Sequence, residues 1–245
     1  MALGLIACYL ALQAVGSAAV VGVLALLQHR HFPGAAVTSA LAALGAHPGA
    51  AVAQAILTVC IAAAGVIWLV HRYWPTLWSQ AMPPGFGLAS PHRRAWPVVA
   101  LAVGLLAPFV GGLVTRVLAG DHDITQNVQQ LAQHAPLAWR VGLAAMAITL
   151  APLVEELLFR GVLLSSLIPR CGVALAALLS AAAFAAIHLP GLGWQWYALP
   201  ELLLLGVALA WLRLRYRSLW PSVLAHGANN ALALAVLFTT LRPPG

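Results

Sequence analysis

Long apolar segments separated by short polar ones set the pattern of this chain. We predict seven of them as membrane-crossing helices, at residues 2–27, 50–70, 97–118, 138–168, 172–189, 195–212 and 219–240. All but the fifth and sixth reach the roughly 20 residues needed to cross the hydrocarbon layer. A lipid-exposed strand would leave backbone polar groups unpaired, so the pattern predicts an all-α transmembrane bundle. The apolar segment 34–44 is too short to span and is the candidate for an eighth helix.

The polar segment 120–136 interrupts this pattern between the third and fourth spans. Its first residues, Asp123 to Gln126, have the spacing of a capping box. Three apolar residues then share one face of a helix: Ile124, Val128 and Leu131. We expect a short amphipathic helix on the membrane surface. Residues 1–245 therefore form a single integral membrane domain, with additional N-terminal spans over residues 1–118.

The composition supports a membrane protein and argues against a nucleic-acid partner. The chain is 62% hydrophobic and 7% charged, with a net charge of +7 that comes from arginine without any lysine. The arginines lie at the ends of apolar segments, where they anchor helices and set topology. Seven arginines fall in the segments on one side of the membrane and four in those on the other. Because cytoplasmic segments carry the excess, we expect the N-terminus to lie in the cytoplasm. The arginine-rich, lysine-free composition favours a bacterial source, and therefore a bacterial inner membrane.

Two adjacent acids, Glu155 and Glu156, lie inside an apolar segment that runs from about residue 137 to 168. Ionisable groups at such depth are costly and usually functional. Neighbouring residues point about 100° apart around a helix, so the two carboxylates cannot share one role. Glu156 and Arg160 have the spacing and the order of a same-face ion pair. Glu155 is then left without a local partner.

Four further residues have the spacing to meet Glu155. His188 ends the fifth span on the same helical face as Phe184, which we expect to form a wall of the site. His226 and Asn230 share one face of the last span. Counted at 1.5 Å per residue from the span ends, Glu155 and His188 lie about 22 and 25 Å from one surface, and Asn230 and His226 about 18 and 12 Å. We predict that these polar groups converge in one pocket.

This set of side chains suits the hydrolysis of an amide bond. A carboxylate beside an imidazole can take a proton from water, here Glu155 with His188. His226 and Asn230 can donate to an oxyanion that forms on the attacked carbonyl. Alternatively, Glu155, His188 and His226 could bind zinc, with water as the fourth ligand. The residues themselves favour neither version.

Two other classes of function compete with an enzyme. In a proton-coupled transporter, Glu155 and the histidines would relay protons, but such proteins usually contain inverted repeats, and the sequence shows none. A catalytically silent membrane scaffold is the third possibility. The complete set of polar groups argues against it, because an idle site need not keep every one of them.

Three short motifs resemble the signature motifs of the CPBP family, the CAAX prenyl endopeptidases and bacteriocin-processing enzymes also called the Abi family. The motifs are Glu155-Glu156-x-x-x-Arg160, Phe184-x-x-x-His188 and His226-x-x-x-Asn230. The resemblance covers residues 137–241, which we take as the catalytic core. It implies an intramembrane endopeptidase, a hydrolase of the metalloprotease type in many relatives, with a helical fold of about eight spans.

The resemblance also implies residue roles, a cofactor and a substrate class. It assigns water activation to Glu155 and His188, oxyanion or metal binding to His226 and Asn230, and support of the site to Glu156 and Arg160. Both a zinc-dependent and a metal-independent glutamate mechanism are attributed to the family. The expected substrate is a peptide or a membrane-protein segment in the bilayer. A prenylated CAAX tail and a bacteriocin leader are both compatible with it.

Overall fold

The computed structural model describes residues 2–31, 48–120, 127–133 and 135–240. These residues form helices and turns without any strand, which confirms the all-α prediction. In chain order the elements are α1 Ala2–His31, α2 Pro48–Tyr73, α3 Pro75–Trp78, α4 Trp96–Ala119, α5 Asn127–Gln133, α6 Leu137–Ile148, α7 Leu150–Glu156, a π-helical segment Leu157–Leu163, α8 Leu164–Ile187, two 3-10 turns Pro190–Leu192 and Trp196–Ala198, α9 Leu199–Tyr216 and α10 Trp220–Thr240.

Six helical stretches among the described residues are long and apolar enough to cross a membrane, so the chain is a multi-pass integral membrane protein. The sequence predicted seven, and the difference lies in the fourth and fifth. These two form one stretch of 51 residues, Leu137–Ile187. Gly172 interrupts it with φ 78° and ψ 169°, a backbone conformation that glycine adopts without strain. The candidate eighth helix, 34–44, lies outside the described residues.

The long stretch is also interrupted just before the paired acids. The structure ends α6 at Ile148 and restarts the helix at Leu150, shortly before Pro152. Thr149 lies between them with φ −117° and ψ −72°. A proline ring clashes with the carbonyl four residues earlier, which is that of Ile148. The break therefore falls one turn before the proline rather than at it.

Within the predicted surface segment 120–136, the structure describes a helix over Asn127–Gln133, and the capping-box residues 123–126 lie outside the described part of the chain. Ala132 is buried in a small cluster with Val52 of α2 and Leu143 of α6. The helix α5 therefore packs against the bundle on at least one side.

A loop between α3 and α4 fastens one end of the bundle. The buried guanidinium of Arg213, near the end of α9, donates to the carbonyl oxygens of Ala81 at 2.8 Å and Gly85 at 2.9 Å. Ser165 of α8 also donates to the Gly85 oxygen, at 2.9 Å. The loop therefore lies at the same end of the bundle as these parts of α8 and α9. Which end faces the cytoplasm stays a prediction.

The core of the bundle surrounds the π-helical segment, in which all seven residues are buried. Its neighbours in the main apolar cluster include Tyr9 of α1, Phe184 of α8 and Leu209 of α9. The helix α1 packs against α2 and against this segment, while α8 packs against α9 and α10 against α4. This arrangement brings the ends of α7 and α8 and the middle of α10 to one place.

Candidate active site

The first motif spans a change of helix type. Glu155 and Glu156 are the last two residues of α7, and Arg160 lies in the π-helical segment that follows. Each backbone N–H in a π-helix bonds five residues back instead of four, so the turn is wider. Single π turns inside α-helices occur frequently at functional sites. No pattern in the sequence indicated this segment.

Glu156 is fully buried and is paired twice through one oxygen. Its Oε1 accepts from Nη1 of Arg160 at 2.9 Å and lies 3.0 Å from Nδ1 of His226. Arg160 also donates through Nη2 to the carbonyl oxygen of Gly206 at 3.1 Å, and its Cζ lies 4.4 Å from the ring centre of Phe184. The ion pair that the spacing predicted is present. The contact with His226 gives Glu156 a second role, which is to orient that imidazole.

Glu155 has a different environment, with its side chain 15% exposed. Its Oε2 lies 3.7 Å from Nε2 of His188 and 3.8 Å from Nε2 of His226. These separations are too wide for direct hydrogen bonds. They are narrow enough for one water molecule to bond to the carboxylate and to an imidazole.

The outer nitrogens of both imidazoles are fixed by acceptors. Nδ1 of His188 lies 2.8 Å from the carbonyl oxygen of Phe184, so this nitrogen carries a hydrogen and donates it. Nδ1 of His226 donates in the same way to Glu156. In the neutral imidazoles both Nε2 atoms therefore hold lone pairs. Together with Oε2 of Glu155 they form three acceptors that face one another, an arrangement suited to binding a hydrogen-bond donor or a cation.

Phe184 lies against both histidines. Its buried ring lies 4.7 Å, centre to centre, from that of His188 and 5.5 Å from that of His226. Phe159 packs edge-on against it at 5.5 Å. Such tilted and edge-to-face contacts are the favourable geometry for aromatic rings. The structure thus places Phe184 as a wall between the second and third motifs.

Asn230 lies one helical turn after His226 and faces a different partner. Its Nδ2 donates to the carbonyl oxygen of Ala147 at 2.9 Å, and its Oδ1 accepts from Asn229 at 3.3 Å. The amide thus ties α10 to α6. The structure brings Glu155, His188 and His226 together, while Asn230 is about 6 Å further along the helix axis than His226.

One protein-family model matches the part of the chain that contains this site. The model described as type II CAAX prenyl endopeptidase Rce1-like matches residues 137–232. This segment of the chain is therefore similar to the Rce1-like family. No curated protein and no solved structure matches the chain. The match contains all three motifs, confirms the family that they resemble, and implies a protease acting on a peptide or protein substrate in a membrane.

The Rce1-like match leaves the question of a metal open, so we tested whether the residues fit one. Two imidazoles with a carboxylate are chemically suitable zinc ligands, and their outer nitrogens are held as in many zinc sites. Donor atoms bound to one tetrahedral zinc lie about 3.4 Å apart, whereas Oε2 of Glu155 is 3.7 and 3.8 Å from the two nitrogens. Among the described residues no group of His, Cys, Asp and Glu side chains has the geometry of a metal site. As they stand, the three side chains do not form a coordination shell.

An apolar cavity of about 650 Å³ lies beside the Rce1-like site, between α4, the α6–α7 junction and α10. Leu153 lines it. Since Leu153 and Glu155 are two residues apart, they point about 200° apart around α7, so the carboxylate faces away from the cavity. The other walls include Trp96, Leu101, Ile148, Leu224 and Gly227. The cavity and the acid therefore lie on opposite faces of one helix.

Sequence reasoning missed three contributors to the site. Gly206 and Ala147 act through backbone carbonyls, which no sequence pattern marks. Tyr9 of α1 lies outside the Rce1-like match, is 3% exposed and belongs to the apolar cluster that contains Val154 and Leu157. Its signal was available, because it alone carries a polar group on the otherwise apolar face formed by Ala2, Leu5 and Ile6.

Proposed function

We propose that this protein is an intramembrane endopeptidase that hydrolyses a peptide bond with water activated by Glu155 and His188. One observation carries the proposal: Oε2 of Glu155 and Nε2 of both histidines face one another, with separations from the carboxylate of 3.7 and 3.8 Å. The outer nitrogens are fixed by their own partners, so the inner ones are left free to contact water and substrate. The Rce1-like match supports the class of reaction.

In the first step a water molecule sits between the carboxylate of Glu155 and the imidazole of His188. It gives one proton to Glu155 while its oxygen attacks the carbonyl carbon of the peptide bond. Glu155 becomes a carboxylic acid, and a tetrahedral intermediate with a negatively charged oxygen forms. Water is the nucleophile, so no covalent bond to the protein arises.

The second step stabilises and then resolves this intermediate. The oxyanion is held by His226 through Nε2, while Nδ1 of the same ring stays bonded to Glu156, and the second N–H of Asn230 is the other donor. Glu155 then returns its proton to the leaving nitrogen as the carbon–nitrogen bond breaks. The products are a carboxylic acid and an amine, which become a carboxylate and an ammonium when one proton passes between them.

The serines near the site support water, rather than a serine hydroxyl, as the nucleophile. Ser165 donates to the carbonyl oxygen of Gly85 at 2.9 Å, and Ser180 to that of Phe159 at 2.8 Å. Ser166 donates within its own helix turn. Each hydroxyl hydrogen is thus engaged by a backbone carbonyl, and none of these bonds involves a histidine that would act as a base.

Elemental analysis of the purified protein separates this mechanism from a zinc-dependent one on Glu155, His188 and His226. The proposed mechanism predicts full activity after dialysis against a chelator and no stoichiometric metal. Stoichiometric zinc that leaves together with activity, and restores it on return, would show that the three side chains rearrange around a metal ion.

For the substrate we propose a prenylated CAAX-type tail. The family match supports it, and the apolar cavity, on the face of α7 opposite Glu155, offers a space for the lipid. The test uses proteoliposomes and three fluorescent peptides: a farnesylated CAAX peptide, the same peptide without the lipid, and a leader-type peptide. We expect the farnesylated peptide to be cleaved at least about 10-fold faster. Cleavage of the leader peptide alone would favour the processing class, and proton flux without any cleavage would favour a transporter.

Filling the cavity tests whether it receives the lipid. Leu101 on α4 lines the cavity and is 41% exposed, whereas Leu105, one turn later and 43% exposed, does not. We expect Leu101→Trp to raise KM for the farnesylated peptide and Leu105→Trp to leave it unchanged. Equal KM values in both variants would remove the cavity from the proposal.

A further inference from the structure

A second apolar groove, of about 440 Å³, runs between α4 and α9. Val98, Leu106 and Val110 of α4 line it, and each is exposed over more than half of its surface. The groove therefore opens toward the lipid and not toward the interior of the bundle. None of its lining residues lines the cavity beside the candidate active site, so the two spaces are separate.

The length of the groove matches one leaflet of a bilayer. Its lining on α4 extends from Val98, in the first turn of the helix, to Val110, which is about 18 Å. The hydrocarbon layer is about 30 Å thick, so one leaflet contributes about 15 Å. A helix from a partner chain would need a groove along most of α4, whose 24 residues extend about 36 Å. The observed length favours an acyl chain over such a helix.

Four exposed arginines lie at the end of the groove where Val98 is found. They are Arg93, Arg94, Arg215 and Arg217. The first two directly precede α4, and the other two lie at the end of α9. Two backbone bonds hold these segments side by side: His92 donates to the carbonyl oxygen of Tyr216 at 3.1 Å, and Leu219 to that of Gly87 at 2.7 Å. The two arginine pairs are therefore neighbours.

On α9 the groove and an arginine share one face of the helix. Leu204 and Ala208 line the groove, and Trp211 and Arg215 follow at intervals of three and four residues. Trp211 is about half exposed. Tryptophan is enriched at the boundary between hydrocarbon and headgroups. The face thus passes from aliphatic side chains through an interfacial ring to a cation, in the order that a phospholipid presents its own parts.

The positive charge at this end has no acidic partner in the chain. None of the four arginines forms an ion pair within the described residues. The acid that α4 and α9 do contain is Glu201, in the first turn of α9, about 21 Å along the axis from Arg215. Basic pockets between membrane helices bind the headgroups of anionic lipids. The charge therefore complements a lipid phosphate.

We propose that the groove binds one anionic phospholipid. Its phosphate lies among the arginines at the ends of α4 and α9, and one acyl chain occupies the groove. In the orientation that we expect, the lipid belongs to the cytoplasmic leaflet. The site is independent of the proposed function, because it lies apart from Glu155 and the two histidines, and its test needs no cleavage.

Native mass spectrometry of the full-length protein, released from detergent micelles, tests the headgroup. The probes are phosphatidylglycerol and phosphatidylcholine, which differ in net charge. We expect the wild-type protein to retain one phosphatidylglycerol about 10-fold more tightly, and Arg94→Gln/Arg215→Gln to lose that preference. The control Arg72→Gln/Arg116→Gln removes two exposed arginines elsewhere and should keep it. Equal retention of both lipids by the wild-type protein, or equal losses in both double variants, would overturn the proposal.

Filling the groove tests the acyl chain. Ala102 lines the groove, whereas Ala182 is an exposed residue of α8 that lines neither space. We expect Ala102→Phe to release phosphatidylglycerol and Ala182→Phe to retain it, with Leu106→Trp as the second variant if the first does not fold. Retention by both filled variants would overturn the proposal. So would inorganic phosphate that displaces the lipid at equal concentration, or a wild-type dimer that Ala102→Phe dissociates, which would place a second copy in the groove.

Discussion

Two faces of one helical turn show how the same residue type takes on different tasks. Glu156 is fully buried, and charged or imidazole nitrogens lie 2.9 and 3.0 Å from its Oε1. Glu155, its neighbour, is 15% exposed, and Nε2 of His188 and of His226 lie 3.7 and 3.8 Å from its Oε2. The residues are adjacent in sequence, so the difference comes from what the other helices bring to each face.

The comparison separates a structural carboxylate from a reactive one. A buried charge is tolerated when partners compensate it, as Arg160 and His226 do for Glu156. Oε2 of Glu155 lies beyond hydrogen-bond distance from the two imidazole nitrogens, so it remains able to bond to a water molecule. We therefore expect the loss of Glu156 to affect folding first and the loss of Glu155 to affect chemistry alone.

The largest effect on folding should come from Glu156→Met. This change leaves the buried guanidinium of Arg160 without its carboxylate, which typically costs about 3–5 kcal/mol. Unfolding in mixed detergent micelles measures the loss. The double variant Glu156→Met/Arg160→Met should recover most of the stability but no activity, because His226 has still lost its acceptor. An unchanged unfolding midpoint in the single variant would contradict the structural role of Glu156.

Much of the surroundings of Glu156 could be predicted from the sequence, because these contacts join residues that are close in sequence. Glu156 and Arg160 are four residues apart, as are Phe184 and His188, and helical geometry places such pairs side by side. The apolar segments are long enough to locate the helices by length and hydropathy. The depth count also grouped the acid with the two histidines.

The remaining contacts could not be predicted because they depend on how the helices pack. The bond between His226 and Glu156 joins positions 70 apart, and no spacing rule covers it. The π-helical segment changes which faces follow Glu156, and Asn230 contacts Ala147 rather than the acid. Tyr9 lies outside every motif. Each of these contacts belongs to tertiary structure, where sequence periodicity carries no information about partners.

A second prediction separates a structural role from a catalytic one at Asn230. This residue has an observed bond to Ala147 and a proposed bond to the oxyanion. Asn230→Ala should lower kcat about 100-fold if the amide holds the oxyanion. Losing its bond to Ala147 should cost only about 1 kcal/mol of stability. Asn229→Ala is the neighbouring control and should have little effect on either. A full cleavage rate in a destabilised Asn230→Ala protein would restrict this residue to a structural role.

The smallest effect tests how tightly the structural face is packed. At Gly206, whose carbonyl accepts from Arg160, an added Cβ would lie 2.8 Å from Cβ of Ala181 and 3.2 Å from Nη2 of Arg160. We expect Gly206→Ala to destabilise the protein by about 1–3 kcal/mol. Gly22 lies on an exposed part of α1, and a Cβ added there would meet no neighbouring side chain or helix within 4 Å. Gly22→Ala should therefore change stability by less than about 0.5 kcal/mol. Equal stabilities would show that the α8–α9 contact can relax.

The most direct test of the account is the single-turnover cleavage rate of Glu155→Gln, measured together with its unfolding curve. Gln keeps the size of the side chain and removes its capacity to take a proton from water. We predict a rate at least about 100-fold below that of the wild-type protein, with an unchanged unfolding midpoint. Cleavage at the wild-type rate by a folded Glu155→Gln protein would contradict the assignment of Glu155 as the base.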